Sequence, residues 1–260
     1  KMDVDLLEKE LKKKLLSLSQ EPYTVDTDNT SLLKEQPGGS IYKEPFTTLV
    51  SSAKIPFDGE LDKKVQSCLE PMQCLIFENG REIDLNKLLD FSDFDSDVEK
   101  DLLNRISTAL YQSALPLDGI KVLSRRPSKR VVSYTQSGLE AVIEGEDANL
   151  ALQNDTGRPL MLLTEVEHGA MTFYVASTGE LKSGVLIVQK KDEVPPPVIT
   201  SVNTGLSPGT TRVVSEGTPG YTAYVSRIID DEREELYYDH YLPVSRIVET
   251  GGRPIFTSDK

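Results

Sequence analysis

Residues 96–160 read SDVEKDLLNRISTALYQSALPLDGIKVLSRRPSKRVVSYTQSGLEAVIEGEDANLALQNDTGRPL, and this stretch decides the fold class. Its first part carries an apolar residue at every fourth position, which predicts one face of an amphipathic helix. These residues are Val98, Leu102, Ile106 and Leu110. Ser96 and Glu99 have the spacing of a capping box, so we expect the helix to begin there. Pro116 predicts its end.

After the turn between Pro116 and Gly119, the apolar residues no longer follow the helical period. β-Branched and aromatic residues occur in short runs that are interrupted by Gly and Pro, a pattern typical of strands. The runs contain Ile120, Val122, Val131, Val132, Tyr134, Val142, Ile143, Leu150 and Leu152. One main helix and several short strands predict a mixed α+β fold for this part of the chain.

The same stretch resembles the core of the VanW family of bacterial cell-envelope proteins. The matching series comprises Ser107, Thr108, Leu110, Tyr111, Arg125, Val132, Ser133, Tyr134, Gly138, Glu140, Ala141, Asn154 and Thr156. The resemblance covers residues 80–189. This sequence departs from the family pattern at two places. Asn104 stands where the family has a cysteine, and the family's Arg-x-Pro-His loop is altered at residues 125–129.

The Arg-rich loop is the first candidate for a binding site in this VanW-like part. Its guanidinium groups are suited to a carboxylate or a phosphate of a wall polymer. The predicted ligand-binding residues here are Arg125, Arg126, Arg130, Ser133, Tyr134, Glu140 and Asn154. A nucleophile needs an activating base, and neither cysteine nor histidine occurs near Ser107, Ser133 or Asn104. We therefore predict no catalytic residue and no enzyme activity; the alternative is a peptidoglycan-modifying enzyme whose nucleophile the sequence does not identify.

A second resemblance lies beyond a run of prolines. Pro195–Pro197 follow charged residues and predict a semi-rigid spacer at 193–205. Residues 206–252 then resemble the small bacterial surface module named the G-five domain, an elongated all-β fold. The matching residues are Pro208, Gly209, Arg212, Val213, Glu216, Gly217, Gly220, Tyr221, Arg227, Pro243, Ile247, Val248 and Gly251.

The resemblance to the G-five family implies contact with the cell wall and with glycans that contain N-acetylglucosamine, and in some members zinc-dependent self-association. Five tyrosines supply either stacking faces for sugars or the module's own packing: Tyr221, Tyr224, Tyr237, Tyr238 and Tyr241. We predict Tyr221, Tyr224 and Tyr238 as ligand-binding residues. His240 and Asp239 form a single pair, fewer than the ligands that zinc takes, so no metal site is predicted.

The predicted organisation has four parts: an N-terminal helix and extended arm (1–40), the VanW-like α+β domain (41–192), the Pro-rich linker (193–205) and the G-five-like β module (206–260). A hairpin is expected at residues 177–180, between a strand run at 159–177 and the next run at 184–191. Glu165 and Glu167 share one face of their strand, and His168 points to the other, so the three side chains cannot bind one metal ion. His168 is therefore expected to be a surface residue.

The cysteines and the overall charge limit the remaining possibilities. Cys68 and Cys74 can form a local disulfide, which we favour because envelope proteins occupy an oxidising compartment, or remain free thiols. A formal net charge of −13 argues against nucleic acid and against adsorption to anionic lipid.

Together the sequence and the two resemblances predict a location outside the cytoplasm. They imply a protein of a Gram-positive cell envelope, the spore envelope being a special case, that binds wall glycan or an envelope protein without a cofactor. The chain has no apolar run of about 18 residues, so membrane attachment is expected only through an N-terminal anchor that this sequence lacks.

Overall fold

The structure is a computed structural model that describes residues 46–89, 96–143 and 149–252. Its helices are α1 (Asp62–Leu69), α2 (Leu85–Leu88) and α3 (Asp97–Ala114), with 3₁₀ turns at Gly59–Leu61 and Glu70–Met72. Its strands are β1 (Thr48–Pro56), β2 (Ile76–Phe77), β3 (Glu82–Asp84), β4 (Ile120–Ser124), β5 (Ala151–Asn154), β6 (Leu160–Glu167), β7 (Ala170–Ser177), β8 (Val185–Val194), β9 (Val198–Asn203), β10 (Thr211–Ser215), β11 (Gly220–Ile229), β12 (Glu232–Tyr241) and β13 (Arg246–Gly251). This mixture of many strands with one long helix fits the predicted α+β class. The helix and arm predicted for residues 1–40 lie outside the described residues.

Helix α3 begins with the predicted capping box. The Ser96 hydroxyl accepts from the Glu99 amide at 3.3 Å, and a Glu99 carboxylate oxygen accepts from the Ser96 amide at 3.0 Å. These two bonds satisfy amides that the first turn leaves without intrahelical partners. The predicted apolar face is buried from Leu102 onward, whereas Val98 is 58% exposed.

Two sheets lie in the VanW-like part. The larger has the order β1-β7-β6-β2 and is antiparallel throughout, and α3 packs against β1 and β7. The smaller has the order β3-β5-β4. The main hydrophobic core includes the buried face of α3 and one face of the larger sheet, while a second cluster covers the sheet's other face.

The hairpin predicted at residues 177–180 is wrong. The run at 159–177 is two strands, β6 and β7, which reverse at His168 and Gly169. His168 and Gly169 both have positive φ, 50° and 72°. The commonest two-residue turns between antiparallel strands require positive φ at both residues. The strand after residue 180, β8, pairs with β11 of the module instead. The His168 side chain is 91% exposed, which confirms the predicted surface histidine.

The predicted strand runs after α3 are confirmed only in part. β4 and β5 contain the predicted residues near 120 and 152, but residues 131–134 and 142–143 are not strands. They belong to the Arg-rich loop, residues 125–143, which follows β4. Backbone amides in this loop bond side chains, as Gly138 and Ile143 do, or carbonyls of the loop itself, as Val142 does, rather than a neighbouring strand.

The segment predicted as a Pro-rich linker also differs from the prediction. Val194 ends β8, and residues 198–203 form β9, which pairs in parallel with β13. The three prolines lie between these strands, where a residue without an amide hydrogen removes no ladder bond. Strands β8 and β9 thus join the strands of the predicted module (206–260), and from here the module means two three-stranded sheets, β12-β11-β8 and β10-β13-β9.

The favoured disulfide is likewise wrong, because Cys68 and Cys74 are free thiols in the structure. Cys68, on α1, packs against the main core, and Cys74 packs against the second cluster. These clusters lie on opposite faces of the larger sheet, which separates the two thiols.

Candidate functional site

The guanidinium of Arg125, the first residue of the Arg-rich loop, is buried between the VanW-like part and the module. Only 7% of its side chain is exposed. Its Nε donates to the Glu140 carbonyl at 2.7 Å, and its Nη2 donates to the Gly138 carbonyl at 3.0 Å and to Asp239 Oδ2 at 2.8 Å. Asp239 is on β12, so the carboxylate that Arg125 binds comes from this chain.

Two tyrosine rings enclose the same guanidinium. Its central carbon lies 5.1 Å from the ring centroid of Tyr111, on α3, and 4.5 Å from that of Tyr237, on β12. The Tyr111 hydroxyl donates to the Tyr237 hydroxyl, which in turn donates to the Gly138 carbonyl at 2.8 Å. Burial raises the pKa of Tyr237 to about 12, so this hydroxyl keeps its proton well above neutral pH. Burial opposes the charge of Arg125, but its neighbours Tyr111, Tyr237 and Asp239 outweigh that effect and raise its pKa.

Glu140, another predicted binding residue, is fully buried. Its carboxylate accepts from the amide of Ser128 at 3.1 Å, from the amide of Gly138 at 2.9 Å and from the hydroxyl of Tyr241. A buried carboxylate is tolerated when such bonds replace its hydration. Both Glu140 oxygens are thus occupied by groups of this chain.

The other predicted residues of the VanW-like part do not form one cluster. Ser133 and Arg130 are exposed, and Arg126 is partly buried. Tyr134 is buried beneath the guanidinium of Arg105, whose central carbon lies 4.4 Å from the ring centroid. Burial raises the pKa of Tyr134 to about 12.

Two asparagines in this part support the fold. Asn154 is fully buried and donates to the carbonyls of Phe77 and Arg158 at 2.7 and 2.9 Å. Asn104, at the position of the family's cysteine, accepts from the Ile143 amide at 2.7 Å and so holds the end of the Arg-rich loop.

The predicted tyrosines of the module lie on opposite faces of the sheet β12-β11-β8. Tyr221 pairs with Tyr241 on the inner face, where its hydroxyl lies 2.6 Å from Ser137 Oγ of the Arg-rich loop. Tyr224 pairs with Tyr238 on the outer face. Successive residues of a strand alternate between faces, so the odd and even positions of β11 have different surroundings.

The outer face carries a row of aromatic groups beside the buried Thr222; Tyr238 and His240 are exposed, and Tyr224 is partly buried. We name it the outer strip and define it as Lys191, Thr222, Tyr224, Tyr238 and His240. The ring centroids of Tyr224 and Tyr238 lie 5.7 Å apart, and those of Tyr238 and His240 lie 5.3 Å apart. Lys191 Nζ is 4.9 Å from the Tyr224 centroid, and His240 Nδ1 is 2.9 Å from the Thr222 hydroxyl. Tyr238 is 59% exposed.

This row combines apolar ring faces with hydroxyl, imidazole and ammonium groups, which suits a ligand that offers both C–H surfaces and hydroxyls. Sequence reasoning found Tyr224 and Tyr238 but missed Lys191, Thr222 and His240. The missing information was the strand register, which places Thr222 of β11 between His240 of β12 and Lys191 of β8.

Within the part of the chain that the structure describes, no three His, Cys, Asp or Glu side chains come together as a metal site would need. In the same described part, no helix combines the length and the apolar character that a membrane crossing requires.

Comparison with known proteins gives two kinds of match. Among similar solved structures, "IgA1 Protease G5 domain structure" is 25% identical with a TM-score of 0.20, over 28% of this chain and 95% of that one. "Crystal structure of HP0197-G5" is 17% identical with a TM-score of 0.17, over 26% of this chain and 99% of that one. No curated protein matches the sequence.

The second match is to a protein family: residues 103–176 of this chain match the model of the family described as VanW like protein. This match confirms the resemblance seen in the order of residues 107–156. VanW and G5 domains are associated with cell-envelope proteins and with binding, and they are typical of extracellular proteins.

Proposed function

We propose that this chain is a non-catalytic binding protein of a Gram-positive cell envelope, located outside the cytoplasm, and that its outer strip contacts wall glycan. One observation carries the proposal. The inner face of the sheet β12-β11-β8 packs on the VanW-like part, whereas the outer face presents Tyr224, Tyr238 and His240 without a covering layer in the described chain.

The chemistry of the strip supports a sugar polymer as the ligand. Sugar rings have C–H faces that stack on tyrosine rings, and their hydroxyls bond groups at the ring edges. Thr222 occupies the Nδ1 atom of His240. The Nε2 atom is therefore the imidazole nitrogen that a ligand can bond. Strands hold successive groups at a regular spacing, which suits an extended polymer.

The buried network supports the non-catalytic part of the proposal. Arg125 and Glu140 were among the predicted ligand-binding residues, but each bonds groups of this chain. Asn104 holds the Ile143 amide at the position where the family has a cysteine. None of these three groups has the combination of nucleophile and adjacent base that covalent catalysis uses.

A peptidoglycan pull-down with the full chain tests this proposal. Tyr238→Ala removes a ring of the strip that is 59% exposed, and we expect a roughly two- to tenfold loss of binding, since one stacked ring contributes about 0.5–1.5 kcal/mol. Ile199→Ala is the matched control, because Ile199 is 52% exposed on the module's other sheet. Equal binding by Tyr238→Ala and the wild type would contradict the proposal.

A salt series separates the outer strip from the exposed end of the Arg-rich loop. Stacking and neutral hydrogen bonds change little with salt, whereas binding through Lys129 and Arg130 would collapse as salt screens their charges. Arg130→Ala should therefore leave glycan binding unchanged. If binding is lost in salt and in Arg130→Ala, the loop is the contact; if no glycan is retained at all, the partner is an envelope protein.

A further inference from the structure

We infer that Arg125, Tyr111, Gly138 and Glu140 form a recognition surface for a β-strand of the pattern Tyr-x-Asp-x-Tyr, and that β12 of the same chain occupies it. We name these four residues the strand socket. The consequence is that the VanW-like part and the module unfold as one unit. The socket lies on the inner side of the sheet β12-β11-β8, so it is independent of the proposed glycan contact.

Each alternate residue of β12 meets a different group of the socket. The Tyr237 hydroxyl donates to the Gly138 carbonyl, Asp239 pairs with Arg125, and the Tyr241 hydroxyl donates to Glu140. The Gly138 amide donates to the Tyr241 hydroxyl at 2.6 Å. Residues at a spacing of two share one face of a strand, so the pattern Tyr-x-Asp-x-Tyr directs all three groups into the socket.

The charges of the contact are complementary and buried. Asp239 and Arg125 each have 7% of their side chains exposed, and the carboxylate of Glu140 is fully buried. A strand without the central acid would leave the Arg125 charge without its carboxylate. A strand without the last tyrosine would leave a Glu140 oxygen without its hydroxyl donor. The socket is therefore selective for this strand pattern.

Gly138 allows the close approach of the loop to the sheet. Its φ is +91°, and an added Cβ would lie 2.7 Å from Val225 Cγ2 and 3.5 Å from Ala223 Cβ. A side chain at this position would be strained in its own backbone and would push the sheet away. The glycine that matches the VanW series thus has a direct steric role in seating the module.

A second arginine makes the contact reciprocal. Arg227, on β11, is 5% exposed and donates to the carbonyls of Leu115 and Leu117, just beyond the C-terminus of α3. Carbonyls at a helix C-terminus lack intrahelical partners, and a cation there is favourable. Arg227 also bonds Glu234 at 2.6 Å. One arginine of each part is therefore buried in the other part.

Calorimetry of the full chain tests this inference. The wild type should unfold in one transition, and Arg125→Met should lower its midpoint on the order of 10 °C and split it in two. Arg130→Met is the matched control in the same loop, where the side chain is exposed, and should leave the single transition unchanged. Two independent transitions in the wild type, or equal effects of the two substitutions, would overturn the inference.

Hydrogen exchange on a milder variant covers the case in which Arg125→Met fails to fold. Tyr241→Phe removes one hydroxyl and keeps the ring. In this variant the Gly138 amide, the amides of β12 and those of β6 and β7 should all exchange about tenfold faster, because the two parts unfold as one unit. Faster exchange in β12 with unchanged protection in β6 and β7 would show two independent units. Unchanged exchange at Gly138 would show that the socket does not hold β12.

Discussion

The two faces of the sheet β12-β11-β8 carry the same type of residue in opposite surroundings. On the inner face, Tyr221, Tyr237 and Tyr241 bond groups of the Arg-rich loop. On the outer face, the rings of Tyr224 and Tyr238 lie side by side at a tilt of 37°, and Tyr238 is more than half exposed. Strand alternation assigns each ring to a face, and contact with the VanW-like part then decides which rings remain available. Tyrosine content alone therefore does not identify a sugar-binding surface.

The Arg-rich loop is not one basic patch, because only one end of it meets the inner face. Its first arginine is buried against the inner face, whereas Lys129 and Arg130 are exposed. The loop therefore has one buried end and one exposed end, as the sheet has one covered face and one exposed face. One end supports the contact between the two parts, and the other end faces solvent.

The largest effect on stability is expected from Arg125→Met. This substitution leaves Asp239 buried without its cation, which typically costs about 3–5 kcal/mol of unfolding free energy. Chemical denaturation measures the change. Arg130→Met, in the exposed end of the loop, should change the free energy by less than about 0.5 kcal/mol. A similar loss in both variants would remove the distinction between the two ends.

A smaller effect is expected from Tyr241→Phe, which leaves one oxygen of the buried Glu140 without its hydroxyl donor. Loss of such a bond costs about 1–3 kcal/mol. Tyr224→Phe is the matched substitution on the outer face, where the hydroxyl bonds Asp192 at an exposed position, and it should have almost no effect. The same denaturation experiment compares them, and equal losses would contradict the division into faces.

Alkaline pH should weaken the inner face. Burial raises the pKa of Tyr237 to about 12, and burial also raises those of Tyr111 and Tyr241. An unfolded tyrosine titrates near pH 10, so unfolding releases protons between about pH 10 and 12. The contribution of Tyr237 to stability is thus complete below pH 10 and is lost as the pH rises through about 12. Unfolding measured across this window should show that loss, with a shallower slope in Tyr237→Phe. A flat profile would contradict the burial of these hydroxyls.

The smallest effect on stability is expected at the outer strip. Tyr238→Ala should change the unfolding free energy by less than about 0.5 kcal/mol, because the ring is 59% exposed. The same variant should lose binding to peptidoglycan under the proposed function. A large loss of stability would instead assign Tyr238 to the packing of the module.

Local features of the fold were predictable from the sequence, because neighbouring residues determine them. The capping box at Ser96 and the buried face of α3 after Val98 follow from spacing alone. The hairpin turn was misplaced because an apolar run conceals it, although His168 and Gly169 supply the positive φ angles that the turn needs. The prolines suggested a linker, but the main-chain pairing of β9 with β13 is not visible in side-chain patterns.

The candidate site was harder to predict because its contacts are distant in sequence. Arg125 and Asp239 are 114 positions apart, and Gly138 and Tyr241 are 103 apart. The sequence therefore indicates that Arg125 and Glu140 are special without revealing what they bind. The outer strip required the strand register, since only the pairing of Tyr224 with Tyr238 brings these rings together.

Nitration of the tyrosines in the native chain, mapped by mass spectrometry, tests the difference between the two faces most directly. We expect rapid modification of Tyr238, slower modification of Tyr224, and protection of Tyr111, Tyr237 and Tyr241 until the protein unfolds. Modification of Tyr237 and Tyr241 as fast as that of Tyr238 would show that the inner face is open to solvent and would contradict the seating of the module on the VanW-like part.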